Sequence, residues 1–205
     1  GNVTTGTSNT LIGALAGVAL TTGAANVALG TSALGADTLG QHNVAIGYQA
    51  LDAQNFTTST NAYNVAVGSA AGGAVTTGQY NTLIGGLAGD ALTDADYNVG
   101  VGYGALTALT TGDNNTGVGS SVMGAITTGS GNVAVGYGTL DDTDDGANNV
   151  AIGTGALSAD CADYNTAVGF NALNASTSTL NVAIGSFAGD IITGGSSNPC
   201  IGYHA

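Results

Sequence analysis

A five-residue phrase, Asn-x-x-(Ile/Val/Leu)-Gly, recurs twelve times along this chain and constrains its fold more than any other feature. The phrase starts at Asn9, Asn26, Asn43, Asn64, Asn81, Asn98, Asn115, Asn132, Asn149, Asn165, Asn181 and Asn198. From Asn9 to Asn149 seven of the spacings are 17 residues and one (Asn43 to Asn64) is 21, and the last three are 16, 16 and 17. Such a register predicts an all-β, parallel β-solenoid of about twelve 17-residue coils, each with two short strands and two turns. A single coil is too thin to bury a core, so stacking has to supply it. At about 4.8 Å per coil the twelve form a rod of roughly 58 Å.

Within the phrase the fourth position is always aliphatic and the second is often Val. Period-two alternation makes this a short strand, with positions two and four expected to face inward. The Gly that closes the phrase is expected to turn the corner with a backbone angle that side chains do not tolerate. Three residues later comes a small residue, Ala in ten of the twelve coils, followed by Leu, Met or Gly. A second strand is then expected, often ending in a Thr pair and Gly, as in Thr76-Thr77-Gly78 and Thr110-Thr111-Gly112.

Stacking turns each repeat position into a column. The Asn column predicts an amide ladder bonding side chains and backbone from coil to coil. Tyr falls in two columns, one before the Asn (Tyr63, Tyr80, Tyr97, Tyr164, with His42 in the same place) and one after the Gly (Tyr48, Tyr103, Tyr137, Tyr203). These rings are expected to stack or pack between subunits, with glycan contact as the alternative. A Thr column (Thr4, Thr21, Thr38, Thr76, Thr93, Thr110, Thr127, Thr193, with Ser59 and Ser176) raises ice binding as a lesser reading. Its pairs are adjacent, so only one Thr of each can face out on a straight strand.

Composition narrows the function. The 205 residues carry no Lys, Arg, Glu or Trp, and all 13 acidic residues are Asp, giving a formal charge of −13. Nucleic acid is excluded as a partner because phosphate neutralisation needs cations, and an anionic membrane surface is disfavoured for the same reason. No apolar run is long enough to insert as a membrane helix. Catalysis has little to work with: there are two His, and no general base with an orienting partner is visible. A non-enzymatic role is expected. The crowded turn residues Asp96, Asp113, Asp141, Asp142, Asp144 and Asp145 are weak Ca²⁺ candidates, with solvated turns as the plainer reading and no other cofactor implied. Cys161 and Cys200 stand too many coils apart for a disulfide within the chain, which leaves free thiols or a bridge between subunits. Sequons occur at Asn2, Asn55, Asn114 and Asn174, about as often as this composition yields by chance.

The repeat breaks in one place. The 21-residue spacing inserts four residues between Asp52 and Ala62, and Asn55 and Phe56 make this a candidate contact loop. No capping sequence is read at either end. Gly1 to Ser8 align with the second half of a coil, and Ala205 aligns with the Ala closing a first half, so another copy would continue the repeat. End-to-end stacking, or membership of a longer fibrous chain, is the expectation.

The phrase as it stands in Asn43-Val44-Ala45-Ile46-Gly47-Tyr48-Gln49-Ala50 and in Asn181-Val182-Ala183-Ile184-Gly185 resembles the head repeats of YadA-like trimeric autotransporter adhesins and similar repeats of phage tail fibres. The resemblance covers nearly the whole chain. It implies a left-handed parallel β-roll, three chains side by side, and binding to matrix or host surfaces. The chain departs from that pattern in its longer coil and in carrying Ala or Gly where the family is Ser-rich. The reading that follows is an extracellular, cell-surface or virion fibre that associates with itself, with a surface-binding adhesin segment as the alternative.

Overall fold

A computed structural model describes residues 4–205. The chain is an all-β parallel solenoid. In chain order the strands are β1 (Thr10–Ile12), β2 (Val27–Leu29), β3 (Gly40–Gln41), β4 (Val44–Ile46), β5 (Thr60–Asn61), β6 (Val65–Val67) and β7 (Thr82–Ile84). They continue with β8 (Val99–Val101), β9 (Thr116–Val118), β10 (Val133–Val135), β11 (Val150–Ile152), β12 (Thr166–Val168), β13 (Val182–Ile184) and β14 (Pro199–Ile201). All but β3 and β5 form one 12-stranded parallel sheet in which each coil's strand pairs with the next in strict repeat register, Val133 beside Val150 and Ala134 beside Ala151.

The expected second strand is reduced. Among the described residues it survives as the two-residue pair β3 and β5, across the insertion. Elsewhere the second side consists of bends that still hydrogen-bond coil to coil, as Thr76 N to Thr93 O (2.8 Å) and Thr110 N to Thr127 O (2.9 Å). The residue before each Asn adopts a positive φ, from Ala25 at 56° through Tyr97 at 60° to Ser197 at 65°, which breaks an extended run.

The facing of the main strand is the reverse of the sequence expectation. The Asn side chains and the small third residues point in: Asn26, Ala28, Asn132 and Ala134 are fully buried. Positions two and four point out, with Ile12, Leu29, Ile84, Val118, Val135, Ile152 and Ile184 all exposed. Alternation fixes which residues share a face and says nothing about which face is inside. The interior is instead filled from the corner after the Gly, where Leu34, Leu51, Leu106, Met123, Leu140, Leu157 and Leu173 are buried at φ near 50–60°. Leu20, Val75, Leu92, Leu109 and Ile126 close the core from the second side.

Corner and strand share one volume, so their sizes trade. Where the strand contributes Leu11 or Leu83, the same coil has Gly17 or Gly89 at the corner, and a Cβ on either glycine would lie 2.7 Å from that Leu. Where the strand has Gly100 or Gly117, the corner carries Leu106 or Met123. Where both positions are small, as Ala66 with Gly72 and Ala183 with Gly189, leucines of neighbouring coils take up the space: a Cβ on Gly72 would lie 2.9 Å from Leu83 and 3.0 Å from Leu51, and one on Gly189 2.9 Å from Leu173.

The phrase-closing glycines hold φ between 123° and 144°. They also sit against the next coil: a Cβ on Gly30 would approach the Gly47 carbonyl oxygen to 2.3 Å, and one on Gly102 the Gly119 oxygen to 2.2 Å. Both conformation and contact demand glycine.

Candidate functional site

The repeat yields columns rather than a pocket, and each column does a separable physical task. The innermost is the Asn spine. Each Asn Oδ1 accepts the backbone N–H of the next Asn, as in Asn98 N to Asn81 Oδ1 and Asn115 N to Asn98 Oδ1 (both 2.9 Å). In seven coils the Nδ2 donates to the carbonyl 14 residues on, as Asn115 to Gly129 (2.9 Å) and Asn132 to Gly146 (2.8 Å). One side chain thereby satisfies a donor in one neighbouring coil and a carbonyl in the turn, which is what a buried amide requires. The ladder expected from sequence is present at all twelve positions, Asn9 and Asn198 being half-buried.

Asn149 is the exception. Its Nδ2 is the one buried side-chain polar atom without a partner among the described residues. The coil that follows is one residue short, and there the Ala162 carbonyl accepts from Asn165 of its own coil (3.0 Å). Nearby the apolar core also lapses, to Thr143 and Cys161, whose side chains meet at 3.2 Å. Burial, opposed by the Thr143 contact, pushes the Cys161 thiol up to about 11, so it is a poor nucleophile at neutral pH. Cys161 and Cys200 form no bridge with each other, as their separation predicted.

The insertion folds inward rather than out. Phe56 is 5% exposed, which corrects its reading as a contact residue. Its N–H donates to the buried Asp37 carboxylate, which also accepts from Gly40 N (3.0 Å) and Gln54 Nε2 (2.7 Å). Gln54 in turn accepts from Asn64 (2.8 Å). The insertion thus covers a polar network that replaces Leu in two successive coils, and a buried carboxylate so bonded is tolerated. Asn55 is exposed and accepts from Thr38 (3.0 Å).

That contact also corrects the Thr column. Asn55, not Ser59, stacks between Thr38 and Thr76, and Thr177, not the buried Ser176, donates to the Thr193 carbonyl. The hydroxyls of Thr21, Thr76, Thr93 and Thr110 each donate to the carbonyl of the next coil at 2.9–3.2 Å. They are committed to holding coils together.

The six Asp named as Ca²⁺ candidates do not converge. Asp96 accepts from Gln79 N and Asp113 from Asp96 N (both 2.7 Å), and Asp141 accepts from Gly124 N (3.0 Å). Asp144 accepts from Thr127, while Asp142 and Asp145 are exposed. No group of three or more His, Cys, Asp or Glu is placed to hold a metal ion among the described residues. Partial burial raises the Asp141 carboxyl above its ordinary value, the Gly124 N–H opposes this and the neighbouring Asp142 charge adds to it.

Two exposed apolar features remain. The first is the outward face of the 12-stranded sheet, twelve coils of paired aliphatic and Thr side chains with no charge among them. At strand spacing it measures about 58 by 10 Å, on the order of 600 Å², at the top of what a monomer exposes. The second is aromatic. His42, Tyr63, Tyr80 and Tyr97 stack face to face with centroids 4.9, 5.8 and 4.8 Å apart. They do so on left-handed backbone where Gly131 or Asn148 sits without strain in other coils, so stacking offsets about 1 kcal/mol of strain per residue. Tyr48, Tyr103, Tyr137 and Tyr203 form the separate column along the edge of the sheet.

No ligand-sized cavity is present, and no helix is long and apolar enough to cross a membrane, among the described residues. Comparison with protein-family models, curated proteins and solved structures finds no match.

Proposed function

We propose that this chain is a structural fibre segment whose solenoids lie side by side, further copies of the chain covering one another's aliphatic sheet face. One observation carries the reading: the second and fourth residues of the strands, mostly Val, Ile, Leu and Thr, line a continuous uncharged face on the outside, while the Asn and the small third residues of the same strands point into the interior. A face of about 600 Å² buried on each of two copies enters the range of specific interfaces. Charge favours the same occupant. With −13 and no cation, copies repel one another everywhere except across the strand face, where no Asp stands. The YadA-like resemblance, with three chains side by side, agrees with this arrangement. So does the absence of Lys and Arg, which leaves trypsin-like proteases no cleavage site and suits a cell-surface or virion fibre.

Sedimentation equilibrium over a hundredfold range of protein concentration tests the proposal. Discrete multimers of the 19.5 kDa chain are expected. A monomer at every concentration would overturn it.

A further inference from the structure

The column after the phrase-closing glycine changes character along the rod. From the sixth coil onward it alternates aromatic and small: Tyr103, Ser120, Tyr137, Thr154, Phe170, Ser186, Tyr203. The aromatics are 34, 33 and 33 residues apart, two coils each time, and so recur at about 9.6 Å along the axis. All four are strongly exposed, Tyr103 by 63% and Tyr137 by 65%. Contiguous rings at every coil, as in the Tyr63–Tyr80–Tyr97 stack, hide their faces in one another. Tyr103 and Tyr137, two coils apart, meet no other ring, while Phe170 and Tyr203 meet the intervening Phe187 edge to face.

The small residues make room for the ring faces. Gly86, one coil before Tyr103, lies so close beneath the ring that a Cβ there would stand 3.6 Å from Tyr103 Cδ2. The backbone that carries the platform is also fixed in advance. The Tyr103, Tyr137 and Phe170 carbonyls accept N–H groups of the next coil at 2.8–3.2 Å. Phe187 meets Phe170 and Tyr203 edge to face, at 5.2 and 6.3 Å between centroids. Hydroxyls stand between the rings, Ser120 and Ser186 half-exposed and Thr154 exposed.

We propose that Tyr103, Tyr137, Phe170 and Tyr203 form a binding platform for an extended, neutral β-1,4-linked polysaccharide. The equatorial linkage of such a glycan presents flat faces of axial C–H groups in a two-residue repeat comparable to the two-coil period. Positively polarised C–H groups sit well on the negative faces of aromatic rings. The intervening hydroxyls reach the equatorial sugar hydroxyls. A chain of charge −13 rejects acidic polysaccharides, which leaves neutral ones. Helical α-linked glucans do not present the same period. A preformed row of rings on a rigid rod binds with little ordering cost. The site gives the fibre a ligand, and it stands whether or not the sheet face is covered by other copies.

Retention of the whole chain on microcrystalline cellulose and on chitin tests this, with soluble β-1,4 and α-1,4 hexasaccharides as competitors. Retention on either matrix, released by the β-1,4 oligomer alone, is expected; the matrix that retains the chain decides between glucose and N-acetylglucosamine units. Tyr103→Ala with Tyr137→Ala is expected to lower retention by about tenfold or more. Tyr80→Ala, in the other column, is expected to leave it unchanged. Passage through both matrices, or equal retention of the double variant, would overturn the proposal. A double variant that loses no retention but shifts in sedimentation would overturn it too, since the rings would then seat another copy.

Discussion

Gly102→Ala is expected to prevent the solenoid from folding, whereas Gly104→Ala, two residues away, costs little. At Gly102 φ is 140° and an added Cβ would lie 2.2 Å from the Gly119 carbonyl oxygen, a backbone atom held by the next coil. Strain and overlap act together there, and the cost exceeds about 3 kcal/mol. At Gly104 φ is 60° and the Cβ would meet nothing within 4 Å. Only the left-handed preference is lost, about 1 kcal/mol. Urea titrations followed by circular dichroism compare the two. Equal midpoints would show that the glycine column tolerates a side chain and that the tight stacking is wrong.

The second large effect is a coupling. Leu83→Ala opens a cavity in the fifth coil and is expected to cost about 2–5 kcal/mol. Gly89→Leu alone drives a side chain into Leu83 and Leu92, whose methyls lie 2.7 and 2.8 Å from where its Cβ would sit, costing about 1–3 kcal/mol. Together they recreate the pairing found in the second coil, where Ala28 on the strand and Leu34 at the corner are both fully buried. The double variant is therefore expected to recover most of the loss, with a coupling energy of about 2 kcal/mol or more. Additive losses in the double-mutant cycle would show that strand and corner do not share one volume.

The recurrence of Asn-x-x-aliphatic-Gly made coil number, strand position, register and the Asn ladder legible in the sequence, because stacking forces equivalent residues into columns. Sidedness was not legible. Val-Ala-Ile alternates equally well with either set inward, and hydrophobicity alone assigns the aliphatics to the core. What decides the matter is the corner residue, whose left-handed backbone turns Leu106 or Leu140 into the interior and leaves room there for nothing larger than Ala and Asn. Periodicity in a strand carries no trace of such a corner.

The insertion failed to read for a related reason. Extra residues suggest an outward bulge, yet Asp37 and Gln54 had already replaced Leu in the core and needed partners, which the Phe56 backbone and Asn64 supply. The signal was there as two polar residues at an apolar column position. Of the two exposed apolar features, the aromatic columns were visible as Tyr spacings, while the two-coil alternation became meaningful only once the rings were seen to lie free of one another. The sheet face emerged only with the reversal of sidedness.

That reversal is the centre of the account, and one measurement reaches it directly: circular dichroism and sedimentation of the chain carrying Val118→Asp and Val135→Asp. Both residues are exposed and flank no cavity, so the prediction is a folded β-solenoid that sediments as a monomer where the parent chain is multimeric. Loss of β-structure at concentrations where the parent is itself monomeric would place these side chains in the core and contradict it.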